Sequence, residues 1–155
     1  MKKPNVNAAQ KCAEDISRKV GLFLKRQLRA NKRIDQQTAH DIKLELDGRS
    51  QRMIERALRK AFPQIAILGE EGTVGDPCSE WRWVVDPIDG TVNFSRGLPH
   101  ACISIALQSR NEGSGGHWSE YRTEAGVVYD PFLGEMWSAK RAGRAKLNGR
   151  PIHVS

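Results

Sequence analysis

The sequence predicts an α+β fold in which two N-terminal helices pack on a largely antiparallel sheet. Apolar residues recur at helical spacing before Pro63, and after it they occur in short continuous runs that are typical of strands. With 155 residues, 39% of them hydrophobic, the chain is long enough for one domain with a substantial core. We therefore predict a single domain over residues 1–155.

Two helices are expected in the first part of the chain. Apolar residues at alternating spacings of three and four predict the first helix, and a polar stretch follows over residues 30–40. Apolar residues between Met53 and Phe62 mark a second helix, and Pro63 ends it because proline cannot continue the hydrogen-bond ladder. The apolar residues of the two helices are Val6, Ala9, Ala13, Ile16, Val20 and Phe23, then Met53, Ile54, Ala57, Leu58, Ala61 and Phe62.

Strands are expected in the remainder of the chain. A Gly- and Ser-rich loop is predicted over residues 111–116, and Asn148-Gly149 is a strong signal for a two-residue hairpin turn. The apolar runs that predict strands cover residues 65–68, 83–85, 102–107 and 125–129.

The charge distribution argues against several classes of protein. The net charge is +7, but residues 64–139 hold 11 Asp and Glu against 4 Lys and Arg, so an acidic segment lies between basic flanks. Basic residues scattered over a helical pattern are typical of a solvated helix face, which disfavours a nucleic-acid partner. No apolar run is long enough to span a membrane, and the polar start does not resemble a secretory signal. Three widely spaced cysteines fit neither a disulfide framework nor a zinc site, so we expect a cytoplasmic protein.

Three carboxylates follow two of the predicted strands. Glu70 comes directly after the run at residues 65–68, and Asp86 and Asp89 follow the run at residues 83–85. If these strands are neighbours, Glu70 and Asp86 end at one edge of the sheet, with Asp89 close by. Carboxylate and carbonyl oxygens are hard ligands that suit Mg²⁺ or Mn²⁺ rather than zinc.

The segment Asp86-Pro87-Ile88-Asp89-Gly90-Thr91 adds further groups to this cluster. Pro87 stiffens the expected turn, which allows the carbonyl of Ile88 to point inward with the two aspartates. Gly90 permits close approach of a ligand to the backbone, and the amides that follow it can bind an anion. Carboxylates that bind a metal, together with a neighbouring site that binds an anion, are the groups needed to hydrolyse a phosphate ester. The same residues are also compatible with an ordinary turn.

Taken together, these motifs resemble the metal-binding signature of the inositol monophosphatase family. The resemblance rests on Gly69-Glu70-Glu71 and on the run from Trp83 to Phe94, and it extends over most of the chain after about residue 41. It implies that this chain corresponds to the N-terminal α+β half of the family fold. Further matching residues are Pro99, Ser104-Ile105, Gly126-Val127-Val128-Tyr129-Asp130-Pro131, Asn148-Gly149, Ile152 and Val154-Ser155.

The resemblance implies a role for each site residue. Glu70, Asp86 and the carbonyl of Ile88 would bind a first metal, and Asp86 and Asp89 would bind a second. Thr91 and Glu70 would position and activate the attacking water, with Asp47 supporting them. The amides of Gly90 and Thr91 would bind the substrate phosphate.

The activity implied is that of a Mg²⁺-dependent phosphomonoesterase acting on a small phosphorylated polyol, with inositol monophosphate the leading candidate. A bisphosphate nucleotidase-like or a fructose bisphosphatase-like phosphatase is an alternative. No membrane partner is expected. The protein partner expected is either a second copy of this chain, in a homodimer, or a missing C-terminal half.

Two departures from the family pattern affect these expectations. Leu44 occupies a position where the family usually has threonine, and Asp47 has a sufficient structural explanation as the N-cap of the second helix. The family's Trp-Asp-x-Ala motif, which completes the second metal site, is also missing from this sequence. A catalytically incomplete fragment that acts as a metal-binding or interaction module is therefore the alternative function.

Overall fold

The computed structural model describes residues 3–30, 34–37, 42–76, 78–111 and 121–153. Within these ranges the chain forms three helices and two sheets. The first helix begins after Asn5, whose side-chain oxygen accepts hydrogen bonds from the amides of Asn7 and Ala8 and so caps the helix. The helices are α1 (Val6–Gln27), α2 (Glu45–Ala61) and α3 (Thr91–Ser95).

Most of the strands form one eight-stranded sheet with the order β10-β9-β8-β7-β6-β5-β3-β4. All neighbours in this sheet are antiparallel except β3 and β5, which run parallel. The first two strands pair with each other in a separate ribbon. The strands are β1 (Ile34–Gln37), β2 (Ile42–Leu44), β3 (Ala66–Gly69), β4 (Gly72–Val74), β5 (Trp81–Asp89), β6 (Cys102–Arg110), β7 (Tyr121–Asp130), β8 (Glu135–Lys140), β9 (Lys146–Leu147) and β10 (Arg150–Pro151).

The two faces of the large sheet differ in burial. Helix α1 packs against β6, β7 and β8, and α2 packs against β5, so both helices cover the same face and enclose the core. The opposite face is only partly buried, and we call it the open face. Cross-strand register places two rows on it: Val84, Ala106, Gly126 and Ala139, then Asp86, Ser104, Val128 and Trp137.

The predicted fold class is confirmed, and each predicted strand is found. Asn148 and Gly149, with φ of 50° and 81°, form the two-residue turn between β9 and β10. Asn111 is the first residue of the predicted loop, and the other residues of that loop lie outside the described ranges. No helix among the described residues is long and apolar enough to cross a membrane.

Two expectations about local structure were wrong. Helix α2 begins at Glu45 rather than after an N-cap at Asp47, and the polar residues Asp47, Ser50 and Gln51 in its first two turns are all buried. Asp47 therefore lies in the first helical turn and is not the N-cap. The segment from Asp86 to Asp89 is not a free turn but the end of β5, where the register with β6 shifts in a β-bulge.

Candidate active site

The parallel pairing of β3 with β5 brings two of the predicted site residues together. In this pairing Gly69 lies opposite Val85. Glu70 follows Gly69 and Asp86 follows Val85, so these two carboxylates lie next to each other. Parallel strands end in the same direction, which is why both carboxylates emerge at one end of the sheet. Glu70 is exposed in the tight turn between β3 and β4, and Asp86 is half-buried.

Asp86 lies in a strongly acidic environment. Burial raises the pKa of its carboxyl group, and the negative charges of Glu70 and Asp89 raise it further, to about 6. The hydrogen bond that its Oδ1 accepts from the amide of Ile88, at 3.1 Å, acts in the opposite direction. Three carboxylates are thus close enough to repel one another, and a bound cation would relieve this repulsion.

The bulge at the end of β5 connects the carboxylates to α3 and α2. The hydroxyl of Thr91 donates a hydrogen bond of 2.8 Å to the carbonyl oxygen of Ile88 and lies 3.4 Å from Oδ1 of Asp47. Asp47 is only 1% exposed, so its carboxylate lies on the buried face of α2, shielded from solvent. Thr91 and Asp47, which lie 44 residues apart in the sequence, are therefore neighbours.

Gly90 is required for a reason that the sequence did not reveal. Its φ of 97° is in the left-handed region, and it precedes the first turn of α3. A Cβ atom there would lie 2.9 Å from the carbonyl oxygen of His100 and 3.2 Å from Cα of Ala101. The close approach that glycine allows is therefore made, in this structure, by the chain's own backbone.

Gln51 is a supporting residue that sequence reasoning missed. Its side-chain oxygen accepts a hydrogen bond of 2.8 Å from the amide of Glu71, and its side-chain nitrogen donates to Glu55. Gln51 also fills the space above Gly69, where a Cβ atom would overlap with its amide group. The helix α2 thus braces the turn that carries Glu70. The only signal in the sequence was a polar residue on the buried face of a helix.

A cavity of about 330 Å³ adjoins Asp89. Cys102 lies at its side, with Sγ 3.6 Å from Oδ2 of Asp89. Burial and the neighbouring Asp89, Asp86 and Asp130 raise the pKa of the Cys102 thiol to about 12, which favours the protonated thiol. Other residues that line the cavity are Gly90, Asn93, His100 and Trp137.

The donor set fits a hard divalent cation. Among the described residues, no three His, Cys, Asp or Glu side chains already enclose a metal position. The groups available are instead the carboxylates of Glu70, Asp86 and Asp89 and the backbone carbonyl of Ile88, all of them oxygen ligands that Mg²⁺ prefers. Glu70 is exposed on a turn, so its carboxylate has room to move toward a cation.

Comparison with known proteins decides the family. A profile of the inositol monophosphatase family matches residues 5–155 of the sequence. The chain belongs to the inositol monophosphatase family. The resemblance carried by the motif around Asp86 is thereby confirmed, and it extends to the N-terminal helices.

The similar proteins carry two kinds of name. "Nus factor SuhB" of Pseudomonas aeruginosa is 39% identical over 125 residues, which cover 79% of this chain and 42% of that protein. "Inositol-1-monophosphatase" of Rhizobium meliloti is 39% identical over 109 residues, covering 70% of this chain and 37% of that protein. The crystal structure of SuhB from Bartonella henselae superposes with a TM-score of 0.84 at 30% identity, over 96% of this chain and 55% of that one. The chain thus spans about half the length of its relatives, or less.

Proposed function

We propose that this chain provides the metal-binding site of a Mg²⁺-dependent phosphatase that hydrolyses a phosphate monoester of a polyol. The observation that carries the proposal is the parallel pairing of β3 with β5, which sets Glu70 beside Asp86 with Asp89 nearby. Family membership supports phosphatase chemistry, and the name of the Rhizobium meliloti relative makes inositol 1-phosphate the leading substrate.

The metal-binding groups in this proposal are Glu70, Asp86, Asp89 and the carbonyl oxygen of Ile88. When bound, Mg²⁺ supplies Lewis-acid polarisation of the phosphoryl group and lowers the pKa of water. Because the three carboxylates repel one another in the metal-free chain, they present a high local negative charge to an incoming cation.

The remaining residues orient the reacting groups. Glu70 accepts the proton of the attacking water, whose oxygen forms the new bond to phosphorus. The ester P–O bond breaks, and the polyol oxygen that leaves with its electron pair takes up a proton from solvent water. Thr91 holds the Ile88 carbonyl in place through its 2.8 Å hydrogen bond and, with the buried Asp47, helps to position that water. The amides of Gly90 and Thr91, at the start of α3, bind the phosphate oxygens.

Phosphate release from inositol 1-phosphate, with and without millimolar Mg²⁺, tests this function. We expect release that depends on Mg²⁺, and we expect Asp89→Asn to reduce the rate by about 100-fold or more because it removes a metal ligand. Glu71→Gln is the matched control, because it neutralises the acid next to Glu70 but leaves the proposed ligands intact. Equal loss of activity in the two variants, or release that is independent of Mg²⁺, would contradict the assignment.

A second candidate is a non-catalytic interaction module. It is favoured by the open face of the sheet, which carries a groove of about 270 Å³ lined mainly by apolar and small residues such as Ala106, Gly126 and Val128. Several relatives are also named Nus factor SuhB rather than after an enzyme. A folded chain that is stabilised by Mg²⁺ but releases no phosphate would support this candidate over the first.

A further inference from the structure

The outer surface of the helix layer has a groove between α1 and α2 that the proposed phosphatase chemistry does not use. Its volume is about 510 Å³, and its floor is formed by apolar side chains, namely Ile16 and Phe23 of α1 and Met53 of α2. Asp47 is on the buried side of the same helix α2, whereas the groove is on its exposed side. The groove is therefore separate from the carboxylate site.

The rim of this groove is basic. Lys19 of α1 and Arg49, Arg52 and Arg56 of α2 line it, and all four side chains are exposed. Among the described residues, the structure shows no ion pair for Lys19, Arg52 or Arg56. Arg49 does have a partner among the described residues, because an oxygen of Glu45 lies 4.0 Å from its guanidinium.

The basic residues continue along α2 beyond the groove. Arg49, Arg52, Arg56 and Arg59 recur at spacings of three and four, so they form one stripe along the helix. At a rise of about 1.5 Å per residue the stripe is about 15 Å long, or close to three helical turns. Like charges at this spacing repel one another and destabilise the helix. An anionic partner along the stripe would remove that repulsion.

The groove fits an acidic peptide better than a nucleic acid. An apolar floor can bury an apolar side chain, whereas a phosphate backbone would gain nothing from it. The ring of Phe23, the aromatic group here, is already covered by the guanidinium of Arg49 at 5.0 Å from the ring centroid, so it does not offer a stacking platform for a base.

We propose that the α1–α2 groove binds an acidic amphipathic helix of a partner protein. Its apolar side chain lies over Met53, and its Asp or Glu side chains, one turn apart, face Arg49, Arg52 and Arg56. This is the helix-in-groove mode of recognition, with the cations supplying charge complementarity. The surface is independent of phosphate hydrolysis, so either proposal can fail without the other.

The test uses a fluorescein-labelled synthetic helical peptide of about 14 residues, with Glu at four positions three and four apart and Leu on the adjacent face. Fluorescence anisotropy with the full chain measures its Kd. We expect Arg52→Glu combined with Arg56→Glu to weaken binding by at least about tenfold. The matched control, Arg144→Glu with Arg150→Glu, makes the same change in net charge at exposed residues outside the groove and should weaken binding by less than about threefold.

Two further measurements separate groove binding from general attraction to a basic protein. Met53→Gln, which keeps the side-chain length but adds polarity to the floor, should weaken binding, and so should replacement of the peptide's Leu residues by Ser. The proposal is overturned if both charge-reversal pairs weaken binding equally, or if neither Met53→Gln nor the Leu replacement has an effect. Tighter binding of a 14-nucleotide single-stranded RNA at the same salt concentration, with the same dependence on Arg52 and Arg56, would also overturn it.

Discussion

At the scale of single residues, Asp86 dominates the electrostatics of the site. Its pKa rises from 3.8 to about 6, first because burial disfavours the charged carboxylate and then because Glu70 and Asp89 repel it. Between these two values the folded chain binds more protons than the unfolded chain. The contribution of Asp86 to stability therefore falls as the pH rises from about 4 to 6, and its full cost is present above pH 6.

Asp86→Asn should remove this cost. The shift corresponds to at most about 3 kcal/mol, and solvent screening of the partly exposed carboxylate reduces this to about 1–2 kcal/mol. Without divalent cations, we expect this effect on the free energy of unfolding to be small at pH 4. By pH 7, the free energy of unfolding of the variant should exceed that of the wild-type chain by about 1–2 kcal/mol.

Urea unfolding at several pH values in EDTA measures this difference. Asp76→Asn, at an exposed aspartate outside the cluster, controls for the loss of one negative charge. A difference between Asp86→Asn and wild type that stays constant from pH 4 to 7 would show that Asp86 is not under the repulsion described here.

The sequence could predict which site residues meet, but not how they are supported. Glu70 and Asp86 each follow an apolar run, so one assumption, that their strands are neighbours, was enough to bring them together. Gln51 could not be found in this way, because its role depends on α2 lying against the turn after β3. Gly90 was singled out because it would let a ligand approach the backbone, whereas the backbone that crowds it belongs to His100 and Ala101 in a later part of the chain.

At the scale of elements, the contact of α1 with the sheet depends on Gly21. This glycine is buried, and a Cβ atom there would lie 2.5 Å from Cε1 of Tyr129 and 2.8 Å from Cβ of Pro131. Glycine within a helix ordinarily costs about 1 kcal/mol relative to alanine. Here the close approach of α1 to the end of β7 explains why glycine is present.

Gly21→Ala should therefore destabilise the chain despite its better helix propensity. Overpacking of a close contact costs about 1–3 kcal/mol, so we expect a net loss of about 1–2 kcal/mol in the free energy of unfolding. Urea unfolding measures it, with Gly126→Ala as control because a Cβ atom at Gly126 meets nothing within 4 Å. A Gly21→Ala variant as stable as wild type would contradict the described packing of α1.

The elements that were misjudged share one physical cause. Residues 45–52 lack a simple apolar pattern because α2 turns Asp47, Ser50 and Gln51 inward, where Asp47 and Gln51 contact the site. The end of β5 has a turn-like sequence, yet pairing continues to Asp89, opposite Cys102, across a bulge. Apolar periodicity reports burial of apolar residues, so it fails where a helix buries polar side chains.

At the scale of the whole molecule, the described helices leave the open face of the sheet uncovered. Val128 is 37% exposed and Ile152 40% exposed, and both line the open-face groove beside Trp137. Apolar surface of this kind favours association. The order of elements along the sequence predicted the α+β class and the helix layer, but it could not say which face of the sheet the helices cover.

The open face should drive self-association of the chain. Sedimentation velocity over a range of concentrations should show an increasing average mass, because dimerisation would bury the exposed apolar side chains. Val128→Lys combined with Ile152→Lys should shift the distribution to the monomer. The matched pair Gln64→Lys with Thr73→Lys, which adds the same charge at exposed residues outside the groove, should not. A chain that stays monomeric at every concentration would contradict the expectation.

The central claim is that Glu70, Asp86 and Asp89 form one divalent-metal site, and Mn²⁺ binding followed by electron paramagnetic resonance tests it most directly. The wild-type chain should deplete the signal of free Mn²⁺, and excess Mg²⁺ should restore it. Asp89→Asn should weaken Mn²⁺ binding by at least about tenfold, and Asp76→Asn should leave it unchanged. If wild type and Asp89→Asn deplete the signal equally, or if neither does, the carboxylates are not a metal site and the account is wrong.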